Sequence, residues 1–129
     1  MRPLLSHVDL RVRDRAAAAE FYDAFLNLLG AVKSVGEEFT SYSIPDTETG
    51  ADDPDADWFG FCEDPAMTPG SGRVCFRAPT RGTIDAIATI LPAIGARNIE
   101  MPHEAYGAGY YACFFEDPDG NKLELVVIG

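Results

Sequence analysis

The sequence predicts an α+β fold in which one strand–helix–three-strand (βαβββ) unit occurs twice in tandem. Apolar residues alternate along short stretches and recur at helical spacing between them, which predicts strands and helices in that order. The second half of the chain then repeats the order of the first, which indicates an internal repeat. We therefore predict a single domain over residues 1–129, built from modules at 1–64 and 73–129 with a linker at 65–72.

The first module begins with a strand and a helix. Apolar and polar residues alternate over Leu5–Val12, the pattern of a strand with one buried face. Asp14 is a favourable N-cap for a helix over Arg15–Leu29, and Gly30 is suited to its C-terminal end. Three strands are predicted to follow, at Ala31–Val35, Phe39–Ile44 and Asp57–Cys62.

The second module shows the same order after a linker rich in proline and glycine. A strand is predicted at Arg73–Ala78, followed by a helix that Thr83 is expected to cap and Gly95 to end, with Pro92 in its last turn. Asp117–Asn121 has strong hairpin-turn chemistry. The other predicted strands are Asn98–Met101, Tyr110–Phe115 and Lys122–Ile128.

The two halves overlay at nearly constant spacing. His7–Arg11 falls on Arg73–Arg77 at an offset of 66 residues, and the glycine after each helix overlays at an offset of 65. The same overlay places Gly60 opposite Glu124. A module of about 60 residues buries its own sheet poorly, so we expect the two modules to pack together.

Composition excludes several classes of function. The net charge of -11 argues against a nucleic-acid partner, and no apolar stretch is long enough to cross a membrane. The amino terminus becomes polar too early for a signal peptide. The three cysteines form no CxxC pair, which predicts reduced thiols in a cytoplasmic protein. The acidic residues concentrated at 45–57 predict a solvated loop of unknown role.

Three stretches resemble the vicinal oxygen chelate superfamily, which includes glyoxalase I, bleomycin-resistance proteins and extradiol dioxygenases. They are His7–Val12, Phe21-Tyr22 and Phe115–Leu125, and the D-P-D-G-N-x-x-E-L ending is the most specific. The resemblance covers essentially the whole chain. It implies an open, cupped mixed sheet with helices on the outside, usually in a homodimer.

The resemblance also implies four metal-ligand positions on the strands that line the cup. His7 matches the first ligand and Glu124 the last, whereas Gly60 and Arg73 fall at the other two. Arginine stays protonated and cannot bind a cation, so we expect no complete metal site and no cofactor. A divalent Zn, Ni, Mn or Fe ion is the alternative. It would need a further ligand such as His103, which is expected in a loop.

Several residues are candidates for binding a small planar or anionic molecule. An indole beside a glycine forms a flat platform, and an arginine at the position of Arg11 contacts a glutathione carboxylate in glyoxalase I. Simpler explanations stay open. For Arg11 the simpler explanation is an ion pair with Asp9, and for Glu124 it is an ion pair with Arg73. For Trp58 it is a side chain that fills the space of an absent ligand. The candidate ligand-binding residues are Arg11, Trp58, Arg73, Arg77 and Tyr110.

The sequence thus predicts a member of this superfamily that binds a small molecule in a metal-free cup, as a homodimer with no nucleic-acid or membrane partner. Two enzymatic alternatives remain. One is a metal-dependent lyase, isomerase or dioxygenase that uses His7 and Glu124. In the other, His7 and Glu124 are catalytic residues that exchange protons without a metal ion.

Overall fold

The computed structural model describes residues 4–44 and 56–129. The chain divides into two compact units, Met1–Met67 (unit 1) and Thr68–Gly129 (unit 2). Most of the acidic segment predicted at 45–57 lies outside the described residues. Within the described residues, no helix is both long and apolar enough to cross a membrane.

Unit 1 contains one four-stranded mixed sheet in the order β1-β4-β3-β2, in which β1 is parallel to β4 and the other neighbours are antiparallel. Asp14 caps the helix as predicted, because its carboxylate accepts a hydrogen bond of 3.0 Å from the backbone N–H of Ala17. The elements are β1 (His7–Val12), α1 (Arg15–Leu26), a 3-10 turn (Asn27–Leu29), β2 (Val32–Val35), β3 (Phe39–Ser43) and β4 (Trp58–Glu63).

Helix α1 covers one face of this sheet with aromatic side chains. Tyr22 stacks on Phe61 at a ring-centroid distance of 5.1 Å and contacts Phe59 at the same distance. Tyr42 of β3 donates a hydrogen bond of 2.6 Å to Asp23 of α1, so its face of the sheet is the helix side. Since side chains alternate along a strand, the residues between these positions point away from α1.

Unit 2 repeats the arrangement, with strand order β5-β8-β7-β6 and β5 parallel to β8. Tyr111 of β7 donates a hydrogen bond of 2.6 Å to Asp85 of α2, which identifies the helix side of this sheet. Leu123 and Leu125 of β8 lie on the same side and are fully buried. The elements are β5 (Arg73–Arg77), α2 (Arg81–Ile90), β6 (Arg97–Glu104), β7 (Tyr110–Glu116) and β8 (Lys122–Ile128).

The boundaries of α2 correct two predictions. Thr80, not Thr83, is the N-cap: its backbone is extended and its hydroxyl accepts a hydrogen bond of 3.1 Å from the N–H of Thr83. Thr83 therefore lies one turn inside the helix, where its hydroxyl bonds that of Thr80. Helix α2 ends at Ile90, so Pro92 lies beyond it and no helical hydrogen bond is lost there.

Strand β6 is longer than predicted and includes His103, which we expected in a loop. It is an edge strand with register shifts against β7, and such a strand tolerates Pro102. The hairpin turn at Asp117–Asn121 is confirmed. The buried carboxylate of Asp117 accepts hydrogen bonds of 2.9 Å from the backbone N–H groups of Asp119 and Asn121.

The strand registers confirm the overlay of the two halves. In unit 1 the parallel pair β1 and β4 places Asp9 beside Gly60. In unit 2 the parallel pair β5 and β8 places Cys75 beside Glu124. Cys75 follows Asp9 by the offset between the two halves. The strand neighbours of these two residues, Gly60 and Glu124, therefore occupy equivalent positions. The predicted α+β fold of two βαβββ modules is confirmed.

Candidate functional site

In each unit the candidate residues lie on the sheet face that does not pack against the helix, which we call the helix-free face. In unit 1 the pairs His7–Trp58 and Asp9–Gly60 have this parity. In unit 2 the side chains on the helix-free face are those on the opposite side of the sheet from Tyr111. The helix-free face of unit 2 carries Arg73, Cys75, Arg77, Tyr110, Phe114 and Glu124.

The imidazole of His7 and the indole of Trp58 form a planar stack. Their ring centroids are 4.3 Å apart and the rings are parallel within 1°. Phe39 contacts the indole edge-on at 6.1 Å, and the hydroxyl of Ser6 lies 3.2 Å from Nδ1 of His7. His7 is exposed and Trp58 is half-buried. The stack therefore presents a flat aromatic surface on unit 1.

Gly60 provides the space for this stack. A Cβ atom added at Gly60 would lie 2.7 Å from the carbonyl oxygen of Thr40 and 2.7 Å from Cζ3 of Trp58. Real Cβ atoms do not approach backbone oxygens or ring carbons so closely. The position at which the resemblance implies a metal-binding glutamate thus has no room for a side chain while Trp58 keeps this orientation.

Arg11 forms the ion pair that the sequence left open. Its Nη1 lies 2.6 Å from Oδ1 of Asp9, and this hydrogen bond is the main cause that raises the pKa of Arg11. The other carboxylate oxygen of Asp9 lies 3.7 Å from Nε2 of His7. Asp9 therefore links the aromatic stack to Arg11, and the role of Arg11 toward an anion stays a prediction.

Glu124 is the buried carboxylate of unit 2, with 5% of its surface exposed. The hydroxyl of Tyr110 donates a hydrogen bond of 2.6 Å to its Oε2, and Cys75 is its neighbour across the parallel strands β5 and β8. A buried carboxylate requires such donors, because its loss of hydration is otherwise uncompensated. Glu124 thus forms a hydrogen-bonded pair with Tyr110, and Cys75 lies beside it.

Arg73 does not form the ion pair with Glu124 that was one of our expectations. Its guanidinium lies over the ring of Phe114, 5.0 Å from the centroid, and its Nη1 donates a hydrogen bond of 3.1 Å to the carbonyl of Leu123. Tyr110 bonds Glu124 instead. Arg73 is exposed, so a planar cation lies at the surface of unit 2.

Aromatic residues border this cation. Tyr106 is 74% exposed and meets the rings of Tyr110 and Phe114 edge-on, at 5.1 and 6.2 Å. The ring of His103 lies 6.3 Å from Phe114, while its Nδ1 lies 2.8 Å from the carbonyl of Met101. The helix-free face of unit 2 thus combines aromatic rings with a guanidinium.

Sequence reasoning missed Cys75 and Phe114 as site residues. Cys75 has the same parity along its strand as Arg73 and Arg77, and this signal could have identified it. Tyr111, the residue after Tyr110, lies on the helix side. Arg77 is exposed on the strand of Arg73, and its binding role stays a prediction.

The group around Glu124 changes the acidity of its neighbours. Burial, and then the charge of Glu124, raise the pKa of the Cys75 thiol to about 12. The hydrogen bond to Glu124 is the main cause that raises the pKa of Tyr110 to about 12. Both groups therefore keep their protons at neutral pH, and Tyr110 donates its proton to the carboxylate.

The donor set does not match the four-ligand metal site implied by the resemblance. Gly60 has no side chain, and Arg73 carries a permanent positive charge. In residues 4–44 and 56–129, no group of three or more His, Cys, Asp or Glu residues is placed to hold a metal ion. His7 and Glu124 remain the candidate donors at the other two positions.

A cavity of about 520 Å³ lies elsewhere in unit 1, between α1 and strands β2 and β3. Asp23 occupies its wall, where it accepts hydrogen bonds from Lys33 and Tyr42. Burial, followed by this hydrogen bond, raises the pKa of Tyr42. None of the candidate residues lines this cavity.

Comparisons with known proteins identify relatives. A family model described as "Glyoxalase/Bleomycin resistance protein/Dioxygenase superfamily" matches residues 4–125. A solved glyoxalase/bleomycin resistance protein from Albidiferax ferrireducens T118 is similar to this chain, with 26% identity, a TM-score of 0.75 and coverage of 96% of this chain and 98% of that chain. No curated protein matches the chain significantly.

Two more distant structures show the same fold. A glyoxalase/bleomycin resistance protein/dioxygenase family enzyme from Burkholderia phytofirmans PsJN has 21% identity and a TM-score of 0.69, over 96% of this chain and 98% of that chain. The fosfomycin resistance protein FosX from Mesorhizobium loti has 16% identity and a TM-score of 0.67, over 100% and 95% of the two chains. At these identities the likeness concerns the fold alone.

Replacement of Gly60 tests the packing of the stack. We expect Gly60→Ala to lower the free energy of unfolding by about 1–3 kcal/mol, because the added methyl group displaces the Trp58 indole or the backbone of Thr40. Urea unfolding followed by circular dichroism measures this loss. Gly72→Ala is the control, since a Cβ there meets no atom within 4 Å. Equal stability of the two variants would contradict the close packing.

Alkylation of cysteine tests the coupling of Cys75 to Glu124. Since the carboxylate raises the pKa of the thiol, Glu124→Gln should lower that pKa and increase the rate of reaction with iodoacetamide at pH 8–9. Site-specific labelling is followed by mass spectrometry. Cys113 is the internal control, because burial and the charges of Glu100 and Asp85 raise its pKa to about 11. An unchanged rate at Cys75 would refute the coupling.

Proposed function

Because the chain belongs to the glyoxalase/bleomycin resistance protein/dioxygenase superfamily, we propose that it binds a small planar or anionic molecule on a helix-free face, without a resident metal ion. The observation that carries this proposal is the indole of Trp58, which stacks on His7 over Gly60. The family includes both binding proteins and enzymes, so membership alone does not decide between them. The distinction between a binding protein and an enzyme therefore depends on the residues of this chain.

A planar ligand is supported by the aromatic surfaces of the two units. In unit 1 the parallel rings of His7 and Trp58 form a rigid flat surface. In unit 2, Tyr106 is the most exposed of the aromatic side chains near Phe114. Flat rings bind flat ligands through stacking and edge-to-face contacts, in addition to the burial of apolar area.

An anionic ligand is supported by Arg73. Its guanidinium lies over the ring of Phe114 and donates one hydrogen bond to the carbonyl of Leu123. A guanidinium has five N–H donors in a rigid fork, so further donors of Arg73 are available for a carboxylate or similar group. Its exposure allows a ligand to approach.

Binding without a metal ion is supported by the chemistry of the ligand positions. Gly60 supplies no donor, Arg73 repels a cation, and the carboxylate of Glu124 accepts a hydrogen bond from Tyr110. Two protein ligands hold a divalent ion weakly, since catalytic zinc sites usually have three. A metal-dependent lyase, isomerase or dioxygenase would need a donor from elsewhere.

We also propose that the protein is a cytoplasmic homodimer. The dimer follows from the family resemblance. The cytoplasmic location is supported by Cys62, Cys75 and Cys113, which are free thiols in one chain.

Binding of 2-naphthoate, a planar aromatic carboxylate, tests the anion site. We expect Arg73→Ala to weaken binding roughly ten-fold or more, because a hydrogen bond between charged groups contributes about 1.5–3 kcal/mol. Isothermal titration calorimetry measures the Kd. Arg81→Ala is the matched control, since Arg81 also lies over an aromatic ring, that of Tyr111 at 4.7 Å, but is the first residue of α2. A similar loss in both variants would argue against a specific anion site.

Metal analysis tests the second part of the proposal. We expect protein purified without chelator to contain far less than one Zn, Ni, Mn or Fe ion per chain by mass spectrometry, and to bind 2-naphthoate equally well with and without a chelator. A near-stoichiometric ion that is lost in His7→Ala would overturn the metal-free proposal and favour the metal-dependent enzyme. Turnover that survives a chelator would instead favour proton exchange by His7 and Glu124.

A further inference from the structure

The hydroxyl of Tyr110 is directed by Glu124. A tyrosine hydroxyl ordinarily both donates and accepts hydrogen bonds. Here its proton lies in the 2.6 Å hydrogen bond to Oε2 of Glu124, and the carboxylate can only accept. The phenolic oxygen of Tyr110 therefore retains only its acceptor function toward any other molecule.

Glu124 is too buried to meet a ligand directly, whereas Tyr110 is half-buried at the border of the face. The ring of Tyr110 packs against the small apolar cluster of Ala112, Phe114 and Val126, which limits its movement. The hydrogen-bond acceptor of this group that a ligand can reach is thus the oxygen of Tyr110. Glu124 acts through it as a positioning residue.

The cation of Arg73 and the acceptor of Tyr110 lie around the same pair of residues. Arg73 lies over Phe114, Tyr110 bonds Glu124, and Phe114 and Glu124 are direct neighbours on β7 and β8. A molecule on this face therefore meets hydrogen-bond donors from the guanidinium and an acceptor from the tyrosine. Its own groups must be complementary to both.

We propose that the ligand of unit 2 is a planar acid that also carries an O–H or N–H donor, a hydroxyaromatic or N–H heteroaromatic acid, and that the oxygen of Tyr110 accepts that donor. This inference rests on the proposed function and narrows its ligand class. A ligand that offers only an acceptor at this point leaves two oxygens facing each other with no proton to share. Such a mismatch is costly, since both groups lose water without gaining a hydrogen bond.

Three naphthoates test the inference by calorimetry at pH 7. They share the ring system and the carboxylate: 2-naphthoate, 6-hydroxy-2-naphthoate, which adds a donor, and 6-methoxy-2-naphthoate, which adds only an acceptor. We expect the hydroxy compound to bind native protein roughly ten-fold more tightly than the methoxy compound, the effect of one matched hydrogen bond. Equal Kd values, or tighter binding of the methoxy compound, would overturn the inference.

Two variants test whether Tyr110 causes the preference for the hydroxy compound over the methoxy compound. Tyr110→Phe should reduce the preference for the hydroxy compound to about two-fold or less, because the acceptor is lost. Tyr111→Phe is the matched control, since Tyr111 is the adjacent residue and makes an equally short bond of 2.6 Å to a carboxylate, Asp85, on the opposite face. It should keep the full preference, and loss of the preference in both variants would contradict the assignment to Tyr110.

The same series separates the inference from the proposed function. If all three naphthoates bind with one affinity and Arg73→Ala weakens them, the anion site stands and the role of Tyr110 is refuted. If none of them binds, the proposed function fails, and the inference fails with it. The comparison of ligands on native protein holds even if Tyr110→Phe does not fold, because it needs no variant.

Discussion

Each sheet is packed by one helix on one face, and this constraint determines which residues are available for a ligand. Aromatic and aliphatic side chains of α1 and α2 require an apolar face on the strands, so alternate strand residues are committed to the core. The intervening residues do not pack against the helix. They include the candidate site residues, from His7 and Trp58 in unit 1 to Arg73 and Glu124 in unit 2.

The two helix-free faces use equivalent positions differently. In unit 1 the position of Gly60 is left without a side chain, and the indole of Trp58 lies against it. In unit 2 the equivalent position holds the carboxylate of Glu124, which is buried and bonded by Tyr110. One repeat thus supplies a flat aromatic surface and the other a polar group beside a cation.

The strand and helix order was predictable because hydrophobic alternation and capping residues are local signals. The hairpin at Asp117–Asn121 was predicted correctly for the same reason, since its carboxylate bonds backbone groups only two and four residues away. The cap of α2 was placed three residues too late, because Thr80 and Thr83 both have a hydroxyl and only the backbone conformation distinguishes them. The pairing of Asp9 with Arg11 lies within one strand, so it could be anticipated as an alternative.

The sequence by itself determined the repeated fold, the face of each strand and the absence of metal-binding side chains at positions 60 and 73. These depend on residue type and on period-two spacing, and both can be read directly from the sequence. The tertiary structure decided which partners those side chains choose: Arg73 lies on Phe114, Tyr110 bonds Glu124, and His7 stacks on a remote residue of β4. Such contacts depend on ring orientation and on distances between strands that are far apart in sequence. Residue spacing along the chain does not determine either of these.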